Sequence, residues 1–275
     1  MLKQRVITAV LLVLALGSAV AFVTPQGFAV LMALVLLLGA WEWALLAGYR
    51  SRVARSLYVL LIAVAMVLLA GRLGFPLARD GLREVLGAAG LMWAMGLLWV
   101  MSYPASAKLW GNKIVLSVLG ALVLVPCGMA LIYLREAHGL NSVLYVVAVV
   151  CSADIGAYFA GRAWGHRKLA PAVSPGKSWA GFWGGLACAL LLGVIAAWQQ
   201  WFPMYAPWQC VMATGAASLA SVLGDLLESM VKRHRGVKDS GRLLPGHGGV
   251  LDRLDSLTAA APVFALFWLL WSTAL

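Results

Sequence analysis

Charge is scarce in this chain. Only 11% of its 275 residues are Asp, Glu, Lys or Arg, and ten of them are acidic. Soluble domains carry about a quarter charged residues and about half apolar ones, so a soluble enzyme, a disordered chain and a coiled coil are all excluded. Cysteine is sparse as well. Cys127, Cys151, Cys188 and Cys210 stand singly in apolar stretches, with no CxxC, which argues against a disulfide framework or a cysteine zinc site. HExxH, P-loop and GxSxG patterns are missing, so a zinc peptidase, a P-loop nucleotidase and a serine hydrolase are not indicated. Long polar segments are also lacking, the longest being residues 232–257. No large water-soluble domain fits, and any chemistry belongs inside a bundle or at its surface.

What is present is hydrophobic. Apolar residues make up 63% of the chain, and the mean hydropathy is +0.91. One bilayer crossing needs about 20 apolar residues. Apolar stretches lie near 6–23, 27–47, 56–70, 86–103, 113–134, 143–163, 178–198, 208–231 and 258–274. They predict an all-α integral membrane protein, a polytopic bundle of about nine transmembrane helices. The basic head and apolar run at the start, with Ala19-Val20-Ala21, also suit a cleavable signal. The run is longer than a usual signal core and reads as the first span.

With the N-terminus in the cytoplasm, alternation puts seventeen of the 21 Lys and Arg on that side, as the positive-inside rule requires. The formal charge of +11 is then a mark of cytoplasmic loops and anionic lipid. Nucleic acid is not indicated, because no basic, aromatic-interleaved domain is available to bind it. The chain divides as a single membrane unit, 1–275: N-terminal spans to 140, a segment at 141–257 with catalytic spans and cytoplasmic loops, and a terminal span at 258–275.

Ten acids are few enough to weigh singly. Asp154, Asp225 and Glu228 fall within apolar spans, and Glu42 lies near the end of one. A carboxylate in the hydrocarbon centre costs at least ~2.5–3.5 kcal/mol, so each needs a reason. Glu42 reads equally as an acid paired with Arg or Lys to fasten helices or as a functional group. Asp225, Glu228, Ser229 and Lys232 recur at i, i+3, i+4, i+7 and form one polar stripe on an apolar helix. The stripe enters the loop at 232–257, which holds Asp239, Asp252 and Asp255 among Lys232, Arg233, Lys238, Arg242 and Arg253. Carboxylates without cysteine or clustered histidine suit a hard cation such as Mg²⁺, and the basic residues beside them suit phosphate. Glycines such as Gly248 and Gly249 let backbone N–H groups approach phosphate closely. His247 fits a proton carrier, a phosphate donor or a turn residue. A second loop carries Ser174-Pro-Gly-Lys177-Ser178, which is either a phosphate site at a helix start or an ordinary turn.

Three segments together resemble the signature of the phosphatidate cytidylyltransferase (CDP-diglyceride synthetase) family. They are Ser229-x-Val231-Lys232-Arg233, then Lys238-Asp239-x-Gly241, then Leu244-Pro245-x-His247-Gly248-Gly249-Val250-x-Asp252-Arg253-Leu254-Asp255. Asp154-Ile-Gly-Ala-Tyr158 and Ser174-Pro-Gly-Lys177-Ser178 resemble other landmarks of that family. The likeness is sharp over roughly 150–256 and loose before. Ser178 stands where Thr is more usual, and Ala180 where Glu or Gln is often found.

The resemblance implies an integral membrane enzyme of the bacterial inner membrane, facing the cytoplasm. It would join CTP and phosphatidic acid to give CDP-diacylglycerol and pyrophosphate, amid membrane lipids and as a homodimer. It also implies Mg²⁺, with the number of cations open and Asp225 and Asp252 on the metal-binding acids. In the implied site Lys232, Arg233, Lys238, Asp239, His247, Arg253 and Asp255 are catalytic, and Ser174, Lys177, Ser178, Gly248 and Gly249 bind substrate. Two rival readings differ in class. A transporter for an anionic lipid or phosphorylated metabolite would use the same basic pocket, but the outer loops at 24–26 and 199–207 carry no charge. A CDP-alcohol phosphotransferase would carry DGxxAR…GxxxD, which is absent.

Overall fold

The computed structural model describes residues 23–244, 246 and 248–272. The expected first span at 6–23, and His247, lie outside the described residues. Those described form nine helices: α1 Pro25–Ala47, α2 Arg52–Leu73, α3 Arg79–Met101, the short α4 Ala107–Trp110, α5 Lys113–His138, α6 Leu140–Trp164, α7 Trp179–Trp198, α8 Pro207–His234 and α9 Leu251–Trp271. All but α4 are long and apolar enough to cross a membrane, so the chain is an all-α polytopic membrane protein. The described residues account for eight of the nine expected spans.

Local chemistry sets many of the helix ends. Thr24, Ser51, Asn112 and Ser178 each turn a side-chain oxygen to a backbone N–H in the first turn of α1, α2, α5 and α7, satisfying one of the donors a helix start leaves open. Gly48 closes α1 in the left-handed conformation, φ 97°. Arg235 closes the same end from a distance, its Nε and Nη2 donating to the carbonyls of Leu46 and Ala47.

Helix α5 is the centre of the bundle. It packs against α1, α2, α3, α6 and α9, and its second half from Val123 to Leu134 is buried throughout. The side chains of Leu57, Leu61, Val64 and Leu68 on α2 point outward and uncovered, as a lipid-facing helix requires. Helices α6 and α7 pair through small residues, Ala153, Gly156, Ala157, Gly181, Gly184 and Gly185, which let two backbones approach closely.

Several expected boundaries move. The third and last spans, short in the sequence, are full helices of 22 and 21 residues. Arg79, Asp80, Arg83 and Glu84, expected in a loop, open α3. Arg83 donates to the carbonyl of Leu269 at 3.2 and 2.6 Å, so its charge is used rather than solvated. The long polar loop shrinks likewise. Lys232, Arg233 and His234 end α8, while Asp252, Arg253 and Asp255 begin α9. Lys232 pairs with Glu228 and Asp252 there, while Arg233 and His234 bond to the backbone carbonyls of Val173 and Gly111.

Residues 168–178, expected as loop, form an antiparallel hairpin of β1 Lys168–Ala170 and β2 Ser174–Ser178. Strands of three and five residues are too short for alternation to reveal them. Val173 in the connecting turn is buried and accepts a hydrogen bond from Arg233 Nε. That bond ties the hairpin to the end of α8.

Candidate active site

The polar stripe on α8 forms as its spacing predicts. Ser229 Oγ donates to Asp225 Oδ1 at 3.1 Å, and Lys232 Nζ lies 3.1 Å from Glu228 Oε1. Both are i, i+4 pairs on one face. Gly224 lets α9 lie against that face. A methyl group there would overlap the backbone carbonyl of Asp255. The close approach brings Asp255 into electrostatic reach of Asp225 and Glu228.

Lys232 joins the two helices. Its ammonium also donates to Asp252 Oδ1 at 2.7 Å. The Asp252 carboxylate accepts further bonds from the backbone of Ser240, at 3.2 and 3.0 Å, and of Gly249, at 2.8 Å. Three donors thus converge on one carboxylate, the Ser240 N–H reaching both oxygens, so Asp252 holds loop, helix and lysine together. Gly248, with φ +82°, makes the turn that delivers the Gly249 N–H. Glu228 is 3% exposed, and neither of its carboxylate oxygens is hydrogen-bonded among the described residues, Oε1 having only the ion-pair contact with Lys232.

The hairpin delivers a second lysine. Lys177 Nζ lies 2.6 Å from Asp225 Oδ2, each side chain about a quarter exposed. Asp154 on α6 is in electrostatic reach of both. Asp154, Lys177, Arg162 and Ser178 face a cavity of about 500 Å³, walled by Ala153, Ala157, Gly185, Phe182 and Val222. Leu169, Phe182 and Val222 also line an adjoining cavity of about 430 Å³. That second cavity is apolar, bounded by Leu97, Val100, Leu219 and Leu223 among others.

With the charges and cavities placed, the relatives can be set beside them. The model of the cytidylyltransferase family matches residues 3–271. The chain belongs to this family. It is 44% identical to a phosphatidate cytidylyltransferase of Pseudomonas aeruginosa over 282 residues, which cover 99% of this chain and 98% of the relative. A phosphatidate cytidylyltransferase of Haemophilus influenzae is 42% identical over 98% of this chain and 99% of its own length. One from Brucella suis is 36% identical over 97% and 93%. As a cytidylyltransferase family member the chain is a nucleotidyltransferase.

Not every residue singled out in the sequence meets at one point. Asp225, Lys177, Asp255, Lys232 and Asp252 form a continuous run of charge with Glu228 and Asp154. Arg233 is exposed beside it and bonded to Val173. Arg253 is exposed in the first turn of α9. Ser178 uses its hydroxyl oxygen to cap α7, accepting from Gly181 N at 3.1 Å. Ser174 pairs with Ala170 in the hairpin. Lys238 and Asp239 line a different cavity, of about 640 Å³, with Trp41, Glu42, Arg55, Ser240 and Arg242.

Glu42 departs from the first of its two readings. Rather than pairing with a cation, it accepts from Leu251 N at 2.8 Å and Ser240 Oγ at 3.2 Å. Sequence reasoning had no means to pair residues some 200 positions apart. Asp154 and Glu228 carried a signal, as acids in apolar spans, but no role.

Among the described residues, no group of three or more His, Cys, Asp or Glu side chains stands in a ready-made coordination geometry. The donor chemistry nevertheless fits a hard cation. Asp154, Asp225, Glu228, Asp252 and Asp255 offer only oxygen, and five carboxylates face two ammonium groups, Lys177 and Lys232. The surplus is negative, and the Glu228 carboxylate, with neither oxygen hydrogen-bonded among the described residues, lies within it.

Proposed function

We propose that the protein joins CTP to phosphatidic acid, releasing pyrophosphate and CDP-diacylglycerol. The observation that carries this reading is the Lys177–Asp225 contact beside a cavity that Lys177, Asp154 and Arg162 line together with apolar side chains, and which adjoins a second, apolar cavity. A phospholipid has that form: an anionic phosphate at one end and acyl chains at the other. The names of the bacterial relatives support the same reaction.

In the proposed step a phosphate oxygen of phosphatidate attacks the α-phosphorus of CTP. The bond from that phosphorus to the oxygen bridging to the β-phosphate breaks, and pyrophosphate leaves. Phosphatidate arrives ionised, so no side chain need serve as nucleophile or remove its proton. Two anions must meet, so positioning and charge neutralisation dominate the barrier. Lys177 is accessible enough to turn from Asp225 to a substrate phosphate. Lys232, 11% exposed at its side chain, keeps Asp252 and Glu228 in place. Arg233 and Arg253 add positive charge for the triphosphate, and Gly248, Ser174 and Ser178 shape the surfaces around it, whereas Lys238 lines a separate cavity.

Mg²⁺ is part of the proposal. Asp225 and Asp255 would hold it, since both keep acceptor capacity beyond their recorded bonds to Ser229, Lys177 and Ser256. Asp252 would join through the oxygen it shares with Lys232. Bound there, the ion would offset the charge that develops on the departing pyrophosphate. A cytoplasmic site in the inner membrane, supported by the distribution of Lys and Arg, and a homodimer, from the family resemblance, complete the reading.

Purified protein in detergent micelles tests it. Pyrophosphate release from CTP should require both phosphatidate and Mg²⁺. Release independent of phosphatidate would contradict the proposal.

A further inference from the structure

Glu42 lies one turn from the end of α1, and the site described above lies on α8, α9 and the hairpin. Yet Glu42 reaches the loop that feeds α9. It is 1% exposed, and among the described residues no Lys or Arg stands within ion-pairing distance of it. Arg55, which packs over the Trp41 ring at 3.9 Å, acts on it only at longer range. A carboxylate so buried relies on hydrogen bonds and dipoles, and here Oε2 carries every hydrogen bond, Oε1 having none among the described residues. Glu42 Oε2 finds the N–H of Leu251, the first residue of α9, at 2.8 Å. Val250 at the N-cap position offers no side-chain bond to that helix. Helix starts carry unsatisfied donors and a partial positive charge, and both favour an anion.

The same carboxylate shapes the loop before α9. Ser240 donates its hydroxyl to Glu42 Oε2 at 3.2 Å and its backbone N–H to Asp252. Gly241 and Gly249 both pack on the Glu42 carboxylate so closely that a methyl group at either would overlap it. Gly249 then donates its N–H to Asp252. Ser240 and Gly249 are therefore held on one side by Glu42 and on the other by Asp252, which in turn grips Lys232 at 2.7 Å.

We infer that Glu42 is a positioning residue for nucleotidyl transfer: it caps α9 from α1 and, through Ser240, Gly249 and Leu251, fixes where Asp252 and Lys232 stand. The catalytic part of this inference rests on the role proposed for Asp252. Glu42→Gln keeps one acceptor oxygen in the same place, whereas Glu42→Ala removes the cap and leaves the loop glycines unsupported. Glu42→Asp draws the carboxylate back by one methylene.

Hydrogen–deuterium exchange of the intact protein in detergent, read beside steady-state kinetics per folded molecule, tests the inference. In Glu42→Ala the amides of Ser240, Gly249 and Leu251 should exchange about 5-fold faster, the fold-change that loss of a typical cap gives, with α5 and α6 unchanged. Displacing reacting groups by about 1 Å costs roughly 100-fold, so kcat should fall by about that factor. KM for CTP should move far less. Glu42→Gln should restore most of the turnover, and Glu42→Asp, which covers the case of an Ala variant that does not fold, should lie between.

Unchanged exchange at those three amides would overturn the cap. Wild-type kcat in Glu42→Ala or Glu42→Asp, with faster exchange, would overturn its role in positioning. Wild-type turnover in Asp252→Asn is a separate failure, that of the role proposed for Asp252, and the exchange measurement distinguishes it.

Discussion

Lys177→Ala separates a residue that acts on substrate from one that merely fastens helices. Lys177 and Asp225 form an ion pair at 2.6 Å, with about a quarter of each side chain exposed. Solvent screens such a pair, and its loss should cost no more than ~1 kcal/mol of stability. A positive group aimed at charge that develops in the transition state is worth more, about 3–4 kcal/mol, or roughly 100- to 1000-fold in kcat. The two readings thus differ by at least a factor of ten in turnover for the same small change in stability.

A second signature follows from the local charge. Removing Lys177 leaves Asp225 facing Asp154 and Asp255 with Lys232 as the nearest remaining ammonium in the network. The site becomes more negative, so half-saturation by Mg²⁺ should shift to lower concentration while kcat falls. The assay is CDP-diacylglycerol formation over a Mg²⁺ titration, normalised to protein that elutes as a single species. Turnover lost only in proportion to folded yield, with unchanged Mg²⁺ dependence, would refute the reasoning and make Lys177 a structural fastener.

Asp252→Asn should cut turnover by at least ~100-fold, because an amide accepts on one atom only and cannot serve its three donors, and its charge no longer meets Lys232; assayed per folded molecule, wild-type turnover would count against it. Arg235→Ala strips two hydrogen bonds from the end of α1 and should lower the thermal midpoint, by ~1–3 kcal/mol in stability, while the protein that remains folded turns over normally. Lys238→Cys, at an exposed loop position, should react with a membrane-impermeant maleimide in inverted vesicles and not in intact cells; the reverse pattern would contradict the cytoplasmic placement of the loop.

The crossing helices were legible because lipid demands long apolar runs and little else in this chain is long. Their ends were not. Arg79–Glu84, Lys232–His234 and Asp252–Asp255 read as loop because charge reads as solvent exposure, yet Arg83 binds a carbonyl on α9 and Lys232 binds two acids. The stripe on α8 was visible because its partners lie four residues apart and a helix turns them to one face. The contact of Lys177 with Asp225, and of Glu42 with Ser240 and Leu251, depends on tertiary packing that local spacing does not encode. The hairpin escaped notice for want of length. In the site, Asp154, Asp225 and Glu228 were found by their cost in an apolar span and Asp252 and Asp255 by their place in the glycine-rich polar stretch, but which lysine met which acid awaited the fold.

Label transfer tests the central claim most directly. Purified protein is given phosphatidate, Mg²⁺ and CTP carrying ³²P at either the α or the γ position, and the products are partitioned between organic solvent and water. If the lipid phosphate attacks the α-phosphorus, α-label moves into the organic phase as CDP-diacylglycerol, and γ-label stays in water as pyrophosphate. Lys177→Ala should slow both in parallel. γ-Label in the lipid product, or no labelled lipid at all, would contradict the account.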